Sequence, residues 1–323
     1  MPISDLVHPD LGAYRSMVAM PEDFDAFWSS TIAEARAAGG KVEIVKAETS
    51  LKVLETYDVT FPGFGGHPVK GWLIMPVDRK GPLPLVVQYI GYGGGRGQPH
   101  DQLHWAASGY AYFRMDTRGQ GSVWSVGGTP DPVGSTASFP GFMTRGILDR
   151  KDYYYRRLLT DCVRAIDGLV DLPFVDATRI AVCGDSQGGG MSIAAAGLDP
   201  RIKAAMPDVP FLSDFPRAVR VALREPYTEI AQFLAQQRDK KDKVFETLAY
   251  FDCVNFGQRA EAKALFSVGL MDDICPPSTV YAAYNAYAGE KEIVEYDFNN
   301  HEGGQAFQER KQMKWLGSIF DIG

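Results

Sequence analysis

The sequence predicts an α/β fold: a mainly parallel, doubly wound sheet with helices on both faces. Two observations carry that expectation. Short apolar runs rich in strand formers alternate with helical segments along most of the chain. Such alternation is the grammar of a parallel sheet that binds ligands at the carboxyl ends of its strands. The second observation is Gly184-Asp185-Ser186-Gln187-Gly188, which falls between the strand-like Arg179-Ile180-Ala181-Val182-Cys183 and a helix-like run of small residues over 189–196. G-x-S-x-G between strand and helix is a nucleophile elbow, so the sheet is expected to be that of the α/β-hydrolase fold. The turn is expected to strain Ser186 and expose its hydroxyl, with glycines at 184 and 188 removing side chains that would clash across it. The alternative reading is a structural turn, which glycine-rich chains supply by chance.

The first 40 residues read as an N-terminal helical extension, with a helix over 22–38 marked by Phe24, Phe27, Trp28, Ile32 and Ala33 at helical spacing. Residues 53–61 and 69–75 alternate as strands around a Gly/Pro-rich turn at 62–68, the pattern of a hairpin. Apolar strand runs then follow at 83–90, 110–115, 179–183, 203–206, 264–269 and 293–296. Helical segments fall at 153–172, 189–198, 278–288 and 304–315. Two stretches interrupt this order. Residues 121–148 are rich in Gly, Pro, Ser and Thr without periodicity, and loops of that length in compact domains are usually functional or interfacial. Residues 211–256 are mixed and charged, with helical character at 227–234 and 239–250, and read as an inserted cap. No repeat or linker divides the chain, so 1–323 is expected to be a single domain.

Composition narrows the function. With 45% hydrophobic residues the chain has material for a large core, and a net charge of −7 argues against nucleic acid or an anionic membrane as partner. No apolar run approaches the roughly 18–20 residues needed to span a bilayer. The N-terminus lacks the basic and apolar regions of a signal peptide, so a cytoplasmic location is expected unless a leader has been removed. None of the four cysteines pairs at C-x-x-C spacing; Cys162, Cys183, Cys253 and Cys275 read as buried free thiols. His100 and His104 lack the Glu of a H-E-x-x-H helix, and the glycines at 91–95 lack a phosphate-binding pattern, so neither a metal nor a cofactor is expected. Tyr153, Tyr154 and Tyr155 read as packing at the base of a helix.

A serine nucleophile needs a base, and in this architecture the order is Ser, acid, His. Of five histidines only His301 follows Ser186, so it is assigned by elimination. The strand at 264–269 leads into Asp272-Asp273, and position does not separate the two carboxylates. For the developing oxyanion, one donor is the N–H of Gln187 and the second belongs to the loop Gly91-Tyr92-Gly93-Gly94-Gly95.

Arg118-Gly119-Gln120, Gly184-Asp185-Ser186-Gln187-Gly188 and His301-Glu302 together resemble the R-G-Q, G-x-S-Q-G and H-E signatures of carbohydrate esterase family 7, the acetyl xylan esterases that also act as cephalosporin C deacetylases. The similarity looks full length, taking in Gln88-Tyr89-Ile90-Gly91-Tyr92, the run from Pro140 through Gly141 to Leu148, and Gly269-Leu270-Met271-Asp272. The resemblance implies Asp272 as the acid and the Tyr92 backbone amide as the second oxyanion donor. It further implies that the Tyr92 ring, Phe211 and Pro226 wall a small acyl site. It also implies an intracellular homohexamer, a trimer of dimers, that takes small acetylated carbohydrates and uses 121–148 as interface and entrance. Arg118 and Gln120 read as buried hydrogen-bonding support for the active-site loops. The expected activity is deacetylation through an acetyl-enzyme on Ser186, with perhydrolysis to peracetate when peroxide replaces water. The rival readings are a peptidase or dienelactone hydrolase-like enzyme and a non-catalytic scaffold.

Overall fold

The computed structural model describes residues 5–6, 10–133 and 141–322. Among these, nine strands form one sheet: β1 (Glu43–Lys46), β2 (Leu54–Pro62), β3 (Pro68–Pro76), β4 (Leu83–Gln88), β5 (Ala111–Met115), β6 (Val175–Asp185), β7 (Ile202–Asp208), β8 (Lys263–Gly269) and β9 (Lys291–Tyr296). Their order across the sheet is β1-β2-β3-β5-β4-β6-β7-β8-β9. The expected hairpin is β2–β3, with β1 added outside it, and β3 pairs antiparallel with β5. Gly71 sits at that last seam because a Cβ there would lie 2.1 Å from the Phe113 ring. From β5 to β9 all pairing is parallel, which the long intervening connections permit.

The helices are α1 (Asp10–Ala13), α2 (Phe24–Ala37), α3 (His104–Ala107), α4 (Tyr154–Leu169), α5 (Gln187–Leu198), α6 (Phe215–Val221), α7 (Tyr227–Gln236), α8 (Lys241–Leu248), α9 (Cys253–Gly257), α10 (Pro277–Ala286) and α11 (Gln305–Phe320). Side chains alternate across each strand, so Leu85 and Val87 enter a larger core with α2, α4 and α5, while Val86 enters a smaller one with α3 and α11. The small residues of α5 let it approach the sheet closely: a Cβ on Gly189 would lie 2.7 Å from the Asp208 carbonyl.

The predicted segments appear with small shifts at their ends, and α11 runs on to Phe320. Four short helices, α1, α3, α6 and α9, are additions. Helices α6 to α8 lie between β7 and β8 as the inserted region, but α9 packs on α5 and α10, so the last residues of 211–256 belong to the helical layer. Of the 121–148 segment, 134–140 lies outside the described residues, and so does His8. Among the described residues all four cysteines are free and buried, and no helix is long and apolar enough to cross a membrane.

The sheet order positions the site. The chain goes one way from β4 to β5 and returns to the other side of β4 for β6. The carboxyl ends of β4 and β6 therefore open at a topological switch point, where α/β sheets bind ligands.

Candidate active site

Strand β6 delivers Ser186 and α5 leads away from it. Ser186 has φ 55° and ψ −117°, a conformation that a non-glycine residue adopts only when held there. The hold is explicit: its N–H donates to the Asp208 carbonyl at 2.9 Å, and its own carbonyl accepts from Phe211 at 2.9 Å and Gly190 at 3.0 Å. The flanking glycines are sterically required, since a Cβ at 184 or 188 would approach the Tyr89 carbonyl to 2.6 or 2.3 Å. One expectation is corrected. Ser186 is only 6% exposed, so the residue is covered instead of presented openly. The elbow motif describes a bare turn and carries no information about the residues packed around it.

Asp272 is the carboxylate that meets the histidine. Its Oδ2 lies 2.7 Å from His301 Nδ1, while Oδ1 accepts the Ile274 and Cys275 amides at 2.8 Å each. With both oxygens engaged and its side chain fully buried, Asp272 fixes the imidazole with Nε2 directed away from the acid. Asn300 ties the two loops together by accepting from the His301 and Asp273 backbone amides at 2.7 and 3.2 Å. Asp273 instead faces Arg224, at 3.5 Å.

Cys275 joins this cluster to the serine. Its sulfur lies within 4.8 Å of the donor atoms of Asp272 and His301, and the thiol neighbours the Ser186 hydroxyl. Burial pushes the thiol well above its ordinary pKa, which keeps it neutral and unreactive beside the serine. The carboxylate, thiol and imidazole are donors of the kind a thiophilic cation takes, but the Asp272 pairing already occupies the imidazole Nδ1.

The glycine-rich loop after β4 runs against the elbow, and among the described residues neither the Tyr92 nor the Gln187 backbone N–H has a protein acceptor. The side chain of Gln187 braces the two together. Its Nε2 donates to the Ile90 carbonyl at 3.0 Å, and its Oε1 accepts from Gln120 at 3.0 Å and from the Tyr155 hydroxyl at 2.9 Å. Gln120 in turn accepts the Gly93 N–H at 2.6 Å and donates to the Tyr154 hydroxyl at 3.0 Å. This gives the Arg118-Gly119-Gln120 motif a visible part. Gly119, at φ +68°, makes the turn between two buried side chains that reach different partners.

Arg118 is fully buried and forms a fork with Asp161 at 2.5 and 2.8 Å. It also lies 3.4 Å from Asp131, which Arg157 holds at 2.6 Å. Burial opposes the Asp131 charge, yet the two guanidinium groups prevail and hold its carboxyl below the ordinary range. Breaking a buried pair strands its partner, so Arg118→Met is expected to cost about 3–5 kcal/mol of stability, read from urea unfolding.

Residues 121–133 fold back over the glycine loop. Gly95 and Gly97 donate to the carbonyls of Ser125 and Val126 at 3.0 and 2.8 Å, and the Trp124 indole donates to the Tyr92 carbonyl at 2.8 Å. Asp116, at the end of β5, accepts from Arg96, Thr117, Gly128 and Thr129 and so fixes both segments. Sequence reasoning missed Asp116, and it read the three tyrosines as packing alone. A buried tyrosine hydroxyl needs a partner, and three in a row was the available signal.

Beside the elbow, the Tyr92 ring meets Phe211 and Phe142 at centroid distances of 6.3 and 5.7 Å. Phe211 also packs on Tyr227 at 4.3 Å, directly after the buried Pro226 at the start of α7. The structure thus brings Tyr92 and Phe211 together beside Ser186, while Pro226 is buried and precedes Tyr227 in the chain. Glu229, which accepts the Tyr92 hydroxyl at 2.7 Å, was not anticipated. A cavity of about 280 Å³ is lined by His301 together with Asp185, Asp208, Gln308 and Gln312. Burial pushes Asp208 there up to about 7, against hydrogen bonds from Ser267 and Gln312.

The fold and the arrangement at its switch point define an α/β-hydrolase. The family model for acetyl xylan esterase (AXE1) matches residues 1–319, and the chain belongs to that family of carboxylic ester hydrolases. Among solved structures, the acetyl xylan esterase from Paenibacillus sp. R4 is 39% identical, with a TM-score of 0.92 over 97% of this chain and 99% of that one. Acetyl xylan esterase 1 from Thermoanaerobacterium sp. JW/SL YS485 is 32% identical, with a TM-score of 0.89 over 97% and 99%. Acetyl esterase Axe7A of Xylanibacter ruminicola is 29% identical over 87% of this chain, which spans 63% of that relative's length.

Proposed function

We propose that the chain is a cofactor-independent serine esterase that removes acetyl groups from acetylated xylo-oligosaccharides and small sugars, and from cephalosporin C. The observation that carries this reading is the strained Ser186 at the elbow together with an Asp272–His301 pair that converges on Cys275, the thiol neighbouring the serine. Ser186 attacks the acetyl carbonyl while His301 takes its proton and later returns it to the leaving alcohol. Asp272 holds the imidazole in the productive tautomer and stabilises the imidazolium. The Gln187 and Tyr92 amides receive the negative charge. Water then frees acetate from the acetyl-enzyme, and peroxide in its place yields peracetate. Tyr92, Phe211 and Pro226 limit the acyl group to a short one.

A homohexamer built as a trimer of dimers, in the cytoplasm, completes the proposal. Exposed Val123, Trp124 and Val126 on the 121–133 segment support an interface there, because exposed apolar groups in one segment mark contact surfaces. A panel of p-nitrophenyl esters tests the acyl site: kcat/KM is expected to fall steeply beyond about three acyl carbons. A preference for long chains contradicts the small site. Turnover on acetylated xylo-oligosaccharides against acetylated monosaccharides then fixes the preferred sugar.

A further inference from the structure

We propose that Glu229 is a positioning residue that latches the Tyr92 ring, the entrance segment after 140 and the cap helix α7 together, and so sets how long an acyl chain the site admits. The inference rests on the reading of Tyr92 as a wall of the acyl site. Three parts of the chain far apart in sequence meet at one carboxylate. The Tyr92 hydroxyl donates to Oε1 at 2.7 Å, and the Met143 N–H donates to Oε2 at 3.1 Å. The same hydroxyl accepts the Phe142 N–H at 2.7 Å, so it passes the contact on to the entrance segment. Glu229 is 3% exposed, and Gly141 packs so tightly on it that a Cβ there would lie 2.1 Å from Oε2. The ring that Glu229 holds is the one that meets Phe211 next to Ser186.

The latch is built for the ionised carboxylate. As an ion, Glu229 accepts from Tyr92 and Met143 at once. Protonated, the carboxyl carries an O–H on an oxygen that already faces a donor, the Tyr92 hydroxyl at Oε1 or the Met143 N–H at Oε2, and one of the two bonds weakens. Tyr92, Arg145 of the entrance segment, Tyr153 and Tyr155 at the start of α4, and Glu225 just before α7 are the titratable and charged groups facing it. Burial raises the carboxyl to about 7, with Glu225 adding to the rise and Tyr92, Met143 and Arg145 opposing it. The latch is therefore closed above about pH 7 and opens below it.

The test is the ratio of kcat/KM for p-nitrophenyl acetate to that for the butyrate, followed from about pH 5.5 to about pH 8.5. Ionisation of the triad is common to both esters and cancels in the ratio. The wild-type ratio is expected to rise about tenfold through neutrality, the scale of one buried hydrogen bond. In Glu229→Gln, whose amide cannot accept from both donors, the ratio is expected to stay low and flat; Tyr92→Phe should also flatten it. A wild-type ratio that does not change with pH overturns the latch without recourse to any variant, as does a step that survives in Glu229→Gln. A strong acetyl preference that is independent of pH removes the latch and leaves the Tyr92 wall standing. Absence of any acetyl preference removes both.

Discussion

Ser186→Ala is expected to lower turnover on p-nitrophenyl acetate by about 10⁶-fold, the loss seen when a triad nucleophile is deleted. The structure explains why nothing nearby should replace it. Cys275, whose thiol neighbours that hydroxyl, is buried, and burial pushes its pKa well up, so it stays protonated. The variant should keep its fold, because Ser186 is held through its backbone, by Asp208, Phe211 and Gly190, and not through its side chain. Two measurements decide the matter together: single-turnover rate and labelling by a fluorophosphonate. Near-normal turnover in the alanine variant would rule out Ser186 as the nucleophile, and absence of any adduct on Ser186 in the wild type would favour the scaffold reading.

Asp272→Asn is expected to lower turnover by about 10⁴-fold while Asp273→Asn leaves it within about threefold, although the two residues are neighbours. The asymmetry comes from their contacts. Asp272 receives two backbone amides on Oδ1 and the imidazole on Oδ2, so an amide there turns its NH₂ toward His301 and forces the wrong tautomer. Asp273 faces Arg224 at 3.5 Å, and that arginine is largely exposed, so loss of the pair costs little. Equal effects at the two positions would mean that the acid has been misassigned. The comparison is made on kcat, since an oriented base acts in the chemical step.

These two residues also show where the sequence stops being informative. Ser186 was legible because its strand, turn and helix are consecutive in the chain and its neighbours must be glycine. His301 was legible because no other histidine follows the serine. The choice between Asp272 and Asp273 was not visible in spacing, since it depends on which side of one turn faces a loop some thirty residues away. Family resemblance supplied it, and the hydrogen bonds agree. Helices α3, α6 and α9 are of four to seven residues, too short for a 3.6-residue period to register. Glu229 gave no local signal either: a glutamate on a short amphipathic helix usually faces water, and only its distant partners draw it inside.

The way 121–133 lies over the glycine loop has a further consequence. The carbonyl of Tyr92 and the amides of Gly95 and Gly97 find their partners in that overlying strip. Trimming the strip to admit bulkier esters would leave those peptide groups unmatched and loosen the loop whose Tyr92 amide is proposed to receive the charge. Breadth of diet and speed are thus geared to one another in this molecule, and a broader enzyme would have to be built by altering side chains beneath an intact cover.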